Sequence, residues 1–157
     1  MDTEEDWNTL HSDLRDGLQN EIRVTRELLS NMHQEEVSLM LHDTGSMNQI
    51  LQQRSEMLET LSFLRLRRQQ TTEKIEKISG HAQPSLEKIL PPNEEISSEI
   101  LTLSDQLMAL TERMNRQQTQ NQRLTEHADR QYYPQLQQIS ETRPKRKASI
   151  ATYHLKK

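Results

Sequence analysis

The chain has 157 residues, 31% of them apolar, 3% aromatic and 28% charged, with a net charge of −4. This is too little apolar material for a wide globular core; it suits thin packing in which each helix buries a narrow seam. The absence of cysteine excludes a disulfide scaffold, a thiolate metal site and a cysteine nucleophile.

Leu, Glu, Gln, Arg, Met and Lys dominate, all good helix formers, and β-branched and aromatic residues are too sparse for a sheet. No apolar run approaches the roughly 18 residues a membrane span needs. The start, Met1-Asp2-Thr3-Glu4-Glu5-Asp6, is acidic and lacks the apolar core of a secretory signal. These features predict a soluble, cytoplasmic protein.

Helix one is predicted over about residues 3–41. Trp7, Leu10, Leu14, Leu18, Ile22, Leu29 and Met32 recur at spacings of three, four or seven, which sets them on one face. Gly17 weakens it locally. His42-Asp43-Thr44-Gly45 supplies a break, and Asp43 or Thr44 is suited to accept from an orphan N–H of the next helix.

Helix two is predicted over about 45–79. Its register is Ile50, Arg54, Met57, Leu61, Leu64, Arg68, Thr71, Ile75 and Ile78. Leu51 and Leu58 widen the stripe, which favours a bundle over a strict two-stranded seam. Gly80 ends the helix as a residue just past its C-terminus. A linker over 80–93 follows, holding Pro84, Pro91 and Pro92.

Helix three is predicted over about 94–140, capped by Asn93, with Glu94 and Glu95 in the first turn, where the helix dipole favours negative charge. Ile96, Ile100, Leu103, Leu107, Leu110 and Met114 fill every seam position. The register then turns polar through Gln117 and Asn121, with only Leu124 and Ala128 apolar. Tyr132, Leu136 and Ile139 start a stripe offset by one residue. Pro134 is expected to kink or interrupt it. The predicted architecture is all-α: an elongated antiparallel three-helix bundle or coiled coil over 1–140, with a flexible basic tail over 141–157. The tail carries a net +5, and the first 140 residues −9. An acidic body with a basic tail reads as an interaction tail.

No catalytic or metal constellation stands out. The six histidines, His11, His33, His42, His81, His127 and His154, include no i, i+4 pair and no HExxH, and read as solvated polar residues. Glu4-Glu5, Glu35-Glu36 and Glu94-Glu95 read as solvated faces or helix N-terminal charge, because catalytic carboxylate pairs need a desolvated pocket. The glycines are too few for a phosphate loop. The expectation is a non-enzyme with no cofactor, no metal and no small-molecule ligand.

The cluster Arg143-Pro144-Lys145-Arg146-Lys147 has three readings: a nuclear-localisation or nucleic-acid patch, a setting for phosphorylation at Ser149, or a disordered linker or electrostatic docking arm. The absence of interleaved aromatics to stack bases speaks against nucleic acid. Tyr132-Tyr133 is either local packing or a recognition patch. Tyr153 stands in a tail too polar to fold alone, which suits an anchor in a partner's pocket.

Three stretches resemble the FlgN-like family of flagellar and type III secretion export chaperones. The first is Leu28-Leu29, Glu35-Glu36, Leu39 and Asp43; the second is Ile50, Met57-Leu58, Leu61 and Arg67-Arg68. The third runs from Leu110 through Met114-Asn115 to Asn121 and Leu124, ahead of Tyr153. The chain departs from that family's pattern in the Leu155-Lys156-Lys157 that follows Tyr153, where a glycine is frequent, and in the basic cluster before it. The resemblance implies a cytoplasmic chaperone, monomeric or weakly dimeric. Its client would be a secreted protein of the hook–filament junction class, held soluble by its C-terminal amphipathic helix. It also implies that the terminal Tyr153 segment engages an export-gate membrane protein. Helix-in-groove packing then nominates Leu124, Ala128, Tyr132, Leu136 and Ile139 as client-binding positions. Two other readings suit the same pattern: a structural coiled-coil subunit with a basic targeting tail, and a secretion-apparatus stalk component that binds an ATPase.

Overall fold

A computed structural model of the protein describes residues 3–80, 90 and 94–131. Three α-helices make up nearly all of them: α1 (Thr3–Met40), α2 (Met47–Ser79) and α3 (Glu95–Gln131). At 1.5 Å per residue they are each roughly 50–57 Å long. The fold is the expected all-α three-helix bundle. The polar contacts fix its direction. Ser38 meets Ser46 at 2.9 Å, and Arg68 on α2 meets Glu21 on α1, so α1 and α2 are antiparallel. Arg15 lies 3.8 Å from Glu99, and Asn121 bonds to Met32, so α3 runs parallel to α1. The order is up-down-up, and α1 packs along both of its neighbours.

The core is a thin column in two stretches. Leu14, Leu18 and Ile22 of α1 cluster with Ile75 of α2, Leu90 of the linker, and Ile100, Leu107 and Leu110 of α3. Further along, Val24, Leu28 and Met32 cluster with Leu61 and Met114. Each fully buried Leu, Ile or Met contributes about 1.5–3 kcal/mol relative to exposure. The predicted registers of α1 and α3 are the ones that pack. In α2, Ile50, Arg54, Leu61 and Ile75 are buried, whereas Ile78 is 49% exposed.

The ends of the helices follow local rules. Gly80 sits at φ 72° and donates its N–H to Glu76 O at 3.0 Å, the left-handed stop that its position predicts. At the end of α1, His42 adopts φ 55°. Its N–H donates to Leu39 O and that of Asp43 to Ser38 O, at 3.3 and 2.9 Å, which is the Schellman pattern. The carboxylate of Asp43 accepts from the N–H groups of Gly45 and Ser46 and from Ser46 Oγ. Asp43 thus braces the corner, and α2 begins at Met47, two residues later than expected. The expected cap at Asn93, the kink at Pro134 and the tail lie outside the described residues.

Candidate functional site

Glycine-poor, seam-packed helices leave function to side chains at the surface or the ends of the bundle. Where an open surface begins depends on how far each seam is closed, and polar residues close both seams further than the heptads suggest.

On the α1–α2 seam the closure is ionic. Glu35 is 0% exposed and forms an ion pair with Arg54. Arg54 Nε donates to Asn31 Oδ1 at 2.9 Å, and Asn31 Nδ2 donates to Ile50 O at 2.9 Å. About four turns further along α2, Arg68 Nε donates to Glu21 Oε2 at 2.5 Å. Burial raises the Glu21 carboxyl above its ordinary range, against the opposing pull of Arg68 and Arg65. These contacts correct two expectations. The Glu35-Glu36 pair is not a solvated face: Glu35 is in the core, and Glu36 is half-buried. Nor are the histidines uniformly solvated. His11 is 1% exposed, packs edge-on to Trp7 with ring centroids 4.5 Å apart, and donates from Nδ1 to Trp7 O at 2.8 Å. His33, His42 and His127 are exposed, while His81 and His154 lie outside the described residues.

On the α1–α3 seam the closure beyond Met114 is made by amides. Gln117 Nε2 donates to Glu36 Oε2 at 2.6 Å and to Asn121 Oδ1 at 2.9 Å. Asn121 is 2% exposed, and its Nδ2 donates to Met32 O at 2.8 Å. The polar part of the α3 register is therefore occupied within the chain. The register that turns polar past Met114 thus keeps an intramolecular partner as far as Asn121.

The surface opens one turn later. The pairings of Met32 and Glu36 with Asn121 and Gln117 set the level of the two parallel helices. Leu124 stands about level with the last turn of α1, and Ala128 about one turn beyond it. Because α1 stops at Met40, α3 runs on past it by roughly one and a half turns. Leu124 and Ala128 are half-buried. At this end of α1, Val37, Met40 and Leu41 are 54%, 63% and 72% exposed. Beside them an open groove of about 550 Å³ separates α1 from α2, with His33, Gln34, Val37, Gln49 and Gln53 among its walls. The distal end thus combines five apolar residues with an amide-rich groove.

Of the client-binding positions read from the sequence, Leu124 and Ala128 fall at this end. Tyr132, Leu136 and Ile139 lie outside the described residues, as does the docking position Tyr153. Val37, Met40 and Leu41 were not singled out from the sequence. Their signal was there: Val37, Leu39, Met40 and Leu41 put more apolar residues in five positions than one seam accommodates.

Among the described residues, no cluster of three or more metal-ligating side chains is found, and no helix is long and apolar enough to cross a membrane. No family model, curated protein or solved structure matches this chain.

Proposed function

We propose that this chain is a non-enzymatic export chaperone of the FlgN-like kind, which holds a secreted client by an amphipathic helix. The observation that carries the proposal is the distal end, where α3 outruns α1, Leu124 and Ala128 of α3 are half-buried, and Val37, Met40 and Leu41 at the end of α1 are exposed. An apolar end patch of this kind is completed by one partner helix laid across it. The polar closure at Gln117 and Asn121 sets the inner limit of the site, so the client begins at Leu124 and not at Met114. On this reading Tyr132, Leu136 and Ile139 extend the client site, and Tyr153 serves delivery to the export gate.

The test is co-expression with a secreted junction-class client, together with titration of the client's C-terminal helix as a peptide. Leu124→Asp with Met40→Asp is expected to leave the circular-dichroism spectrum unchanged and to weaken peptide binding at least tenfold. Tyr153→Ala is expected to spare peptide binding and reduce secretion. Wild-type peptide affinity in the Leu124/Met40 variant would remove the basis of the proposal.

A further inference from the structure

The outer face of α3, opposite its seams, is polarised along its length. Residues 94–112 contain five carboxylates, Glu94, Glu95, Glu99, Asp105 and Glu112, and no Lys or Arg. Residues 113–131 contain four arginines, Arg113, Arg116, Arg123 and Arg130, against Glu126 and Asp129. All four arginines are exposed. Among the described residues, Arg15, Arg23, Arg54 and Arg68 form ion pairs within the bundle, all of them on α1 and α2. Glu95, Ser98, Thr102, Asp105, Ala109 and Glu112, then Arg116, Gln120, Arg123, His127 and Arg130, are all exposed and follow one another at spacings of three and four. They form a single stripe on one helix face.

We infer that this stripe pairs with the same stripe of a second copy, antiparallel, about a two-fold axis that crosses α3 between Glu112 and Arg113. The argument is charge complementarity within one sequence. Turned end for end about that point, the stripe sets Arg130 against Glu95, Arg123 against Thr102 and Arg116 against Ala109, with Arg113, on the flank of the stripe, nearest Glu112. Glu112 is then diagonal to Arg116, and Asp105 diagonal to Arg123. Every contact occurs twice, as an isologous interface requires. A parallel pairing would set acid on acid and arginine on arginine. The small side chains Ser98, Thr102 and Ala109 lie on the acidic half, where they leave room for the long arginines of the partner. The stripe lies on the side of α3 opposite the seam residues Ile100, Leu107 and Met114 that pack in the core. An interface of exposed ion pairs with little apolar area is weak and salt-sensitive, and the proposed state is a reversible dimer.

Sedimentation velocity of the full chain without client tests this, at low and high ionic strength. A concentration-dependent dimer is expected at low salt and a monomer at 0.5 M NaCl. Arg116→Glu with Arg130→Glu should be monomeric at low salt, and so should Glu95→Arg with Glu112→Arg. An equimolar mixture of the two variants should recover a heterodimer, which also shows that both are folded. Since the chain has no cysteine, Glu112→Cys should give an intermolecular disulfide next to the axis, and Glu27→Cys on the exposed face of α1 should not. A monomer at low salt and high concentration overturns the inference. So does a dimer indifferent to charge reversal. A monomer that binds a single-stranded RNA oligonucleotide through the same arginines would give the stripe to phosphates instead.

Discussion

The two seams of α1 are closed by different physics. Toward α2 the seam is interrupted by charge: Arg54 with Glu35 and Asn31, and Arg68 with Glu21. Toward α3 it is apolar to Met114 and then closed by the amides Gln117 and Asn121. A buried charge tolerates only an alignment that pairs it, because a stranded ion in the core is far more costly than a stranded methyl. A buried amide discriminates less sharply, since it is neutral and needs only a carbonyl or another amide. The α1–α2 hairpin is thus set in register by ions. The distal half of α3 is held by replaceable hydrogen bonds. That contrast suits a helix whose far end engages a partner while the hairpin serves as a fixed base.

Removing one member of the ionic seam is the most direct way to break the comparison. Arg54→Ala leaves Glu35, which is 0% exposed, without its guanidinium, and is expected to destabilise the bundle by about 3–5 kcal/mol. Replacing both partners, Glu35→Leu with Arg54→Met, should recover most of that loss, because a packed apolar pair replaces a buried ion pair at little or no net cost. Urea midpoints of the single and double variants measure this. If the double variant is as unstable as the single, the ion pair is not what fixes the seam.

The same contrast explains how much was legible in the sequence. The apolar registers Leu14–Leu18–Ile22 and Ile100–Leu107–Met114 were read directly, because periodicity reports them. Arg54 and Arg68 were placed correctly on the α2 seam, yet their role was not legible: a charged seam position looks like a gap until the opposite carboxylate is located, 19 residues away for Glu35 and 47 for Glu21. Glu35 was misread for the same reason. Gln117 and Asn121 are legible only as polar positions of the register, since composition alone does not distinguish a polar residue that reaches a neighbouring backbone carbonyl from one that faces water. The distal apolar end was half legible: Leu124 and Ala128 follow from register, but the exposure of Val37, Met40 and Leu41 depends on where α1 stops relative to α3.

The amide seam should respond more mildly. Asn121→Ala removes the bond to Met32 O and the acceptor for Gln117, with an expected loss of about 1–2 kcal/mol. The loss should be local. Hydrogen exchange should rise in the last turns of α3 and leave Leu14–Ile22 protected. Uniform loss of protection along the chain would show that the distal half of α3 is as integral to the fold as the hairpin.

The smallest effect lies in the pH dependence of the ionic seam, and its sign is specific. The Glu21 carboxyl is raised above 4.5 by burial, only partly offset by Arg68 and Arg65. The folded chain therefore binds this proton more tightly than the unfolded chain. The stabilisation from this residue is fully present below 4.5 and is lost as pH rises through the raised folded value. At neutral pH the charged Glu21 is held at a net disadvantage, which Gln does not share. The stability of the wild type relative to Glu21→Gln should therefore increase as pH falls from 7.5 toward 4.5. The difference between their urea midpoints along that series measures it. A difference that shrinks on acidification would mean that Arg68 outweighs the burial of Glu21. Charge pairing would then stabilise this level of the seam outright instead of serving mainly to fix its register.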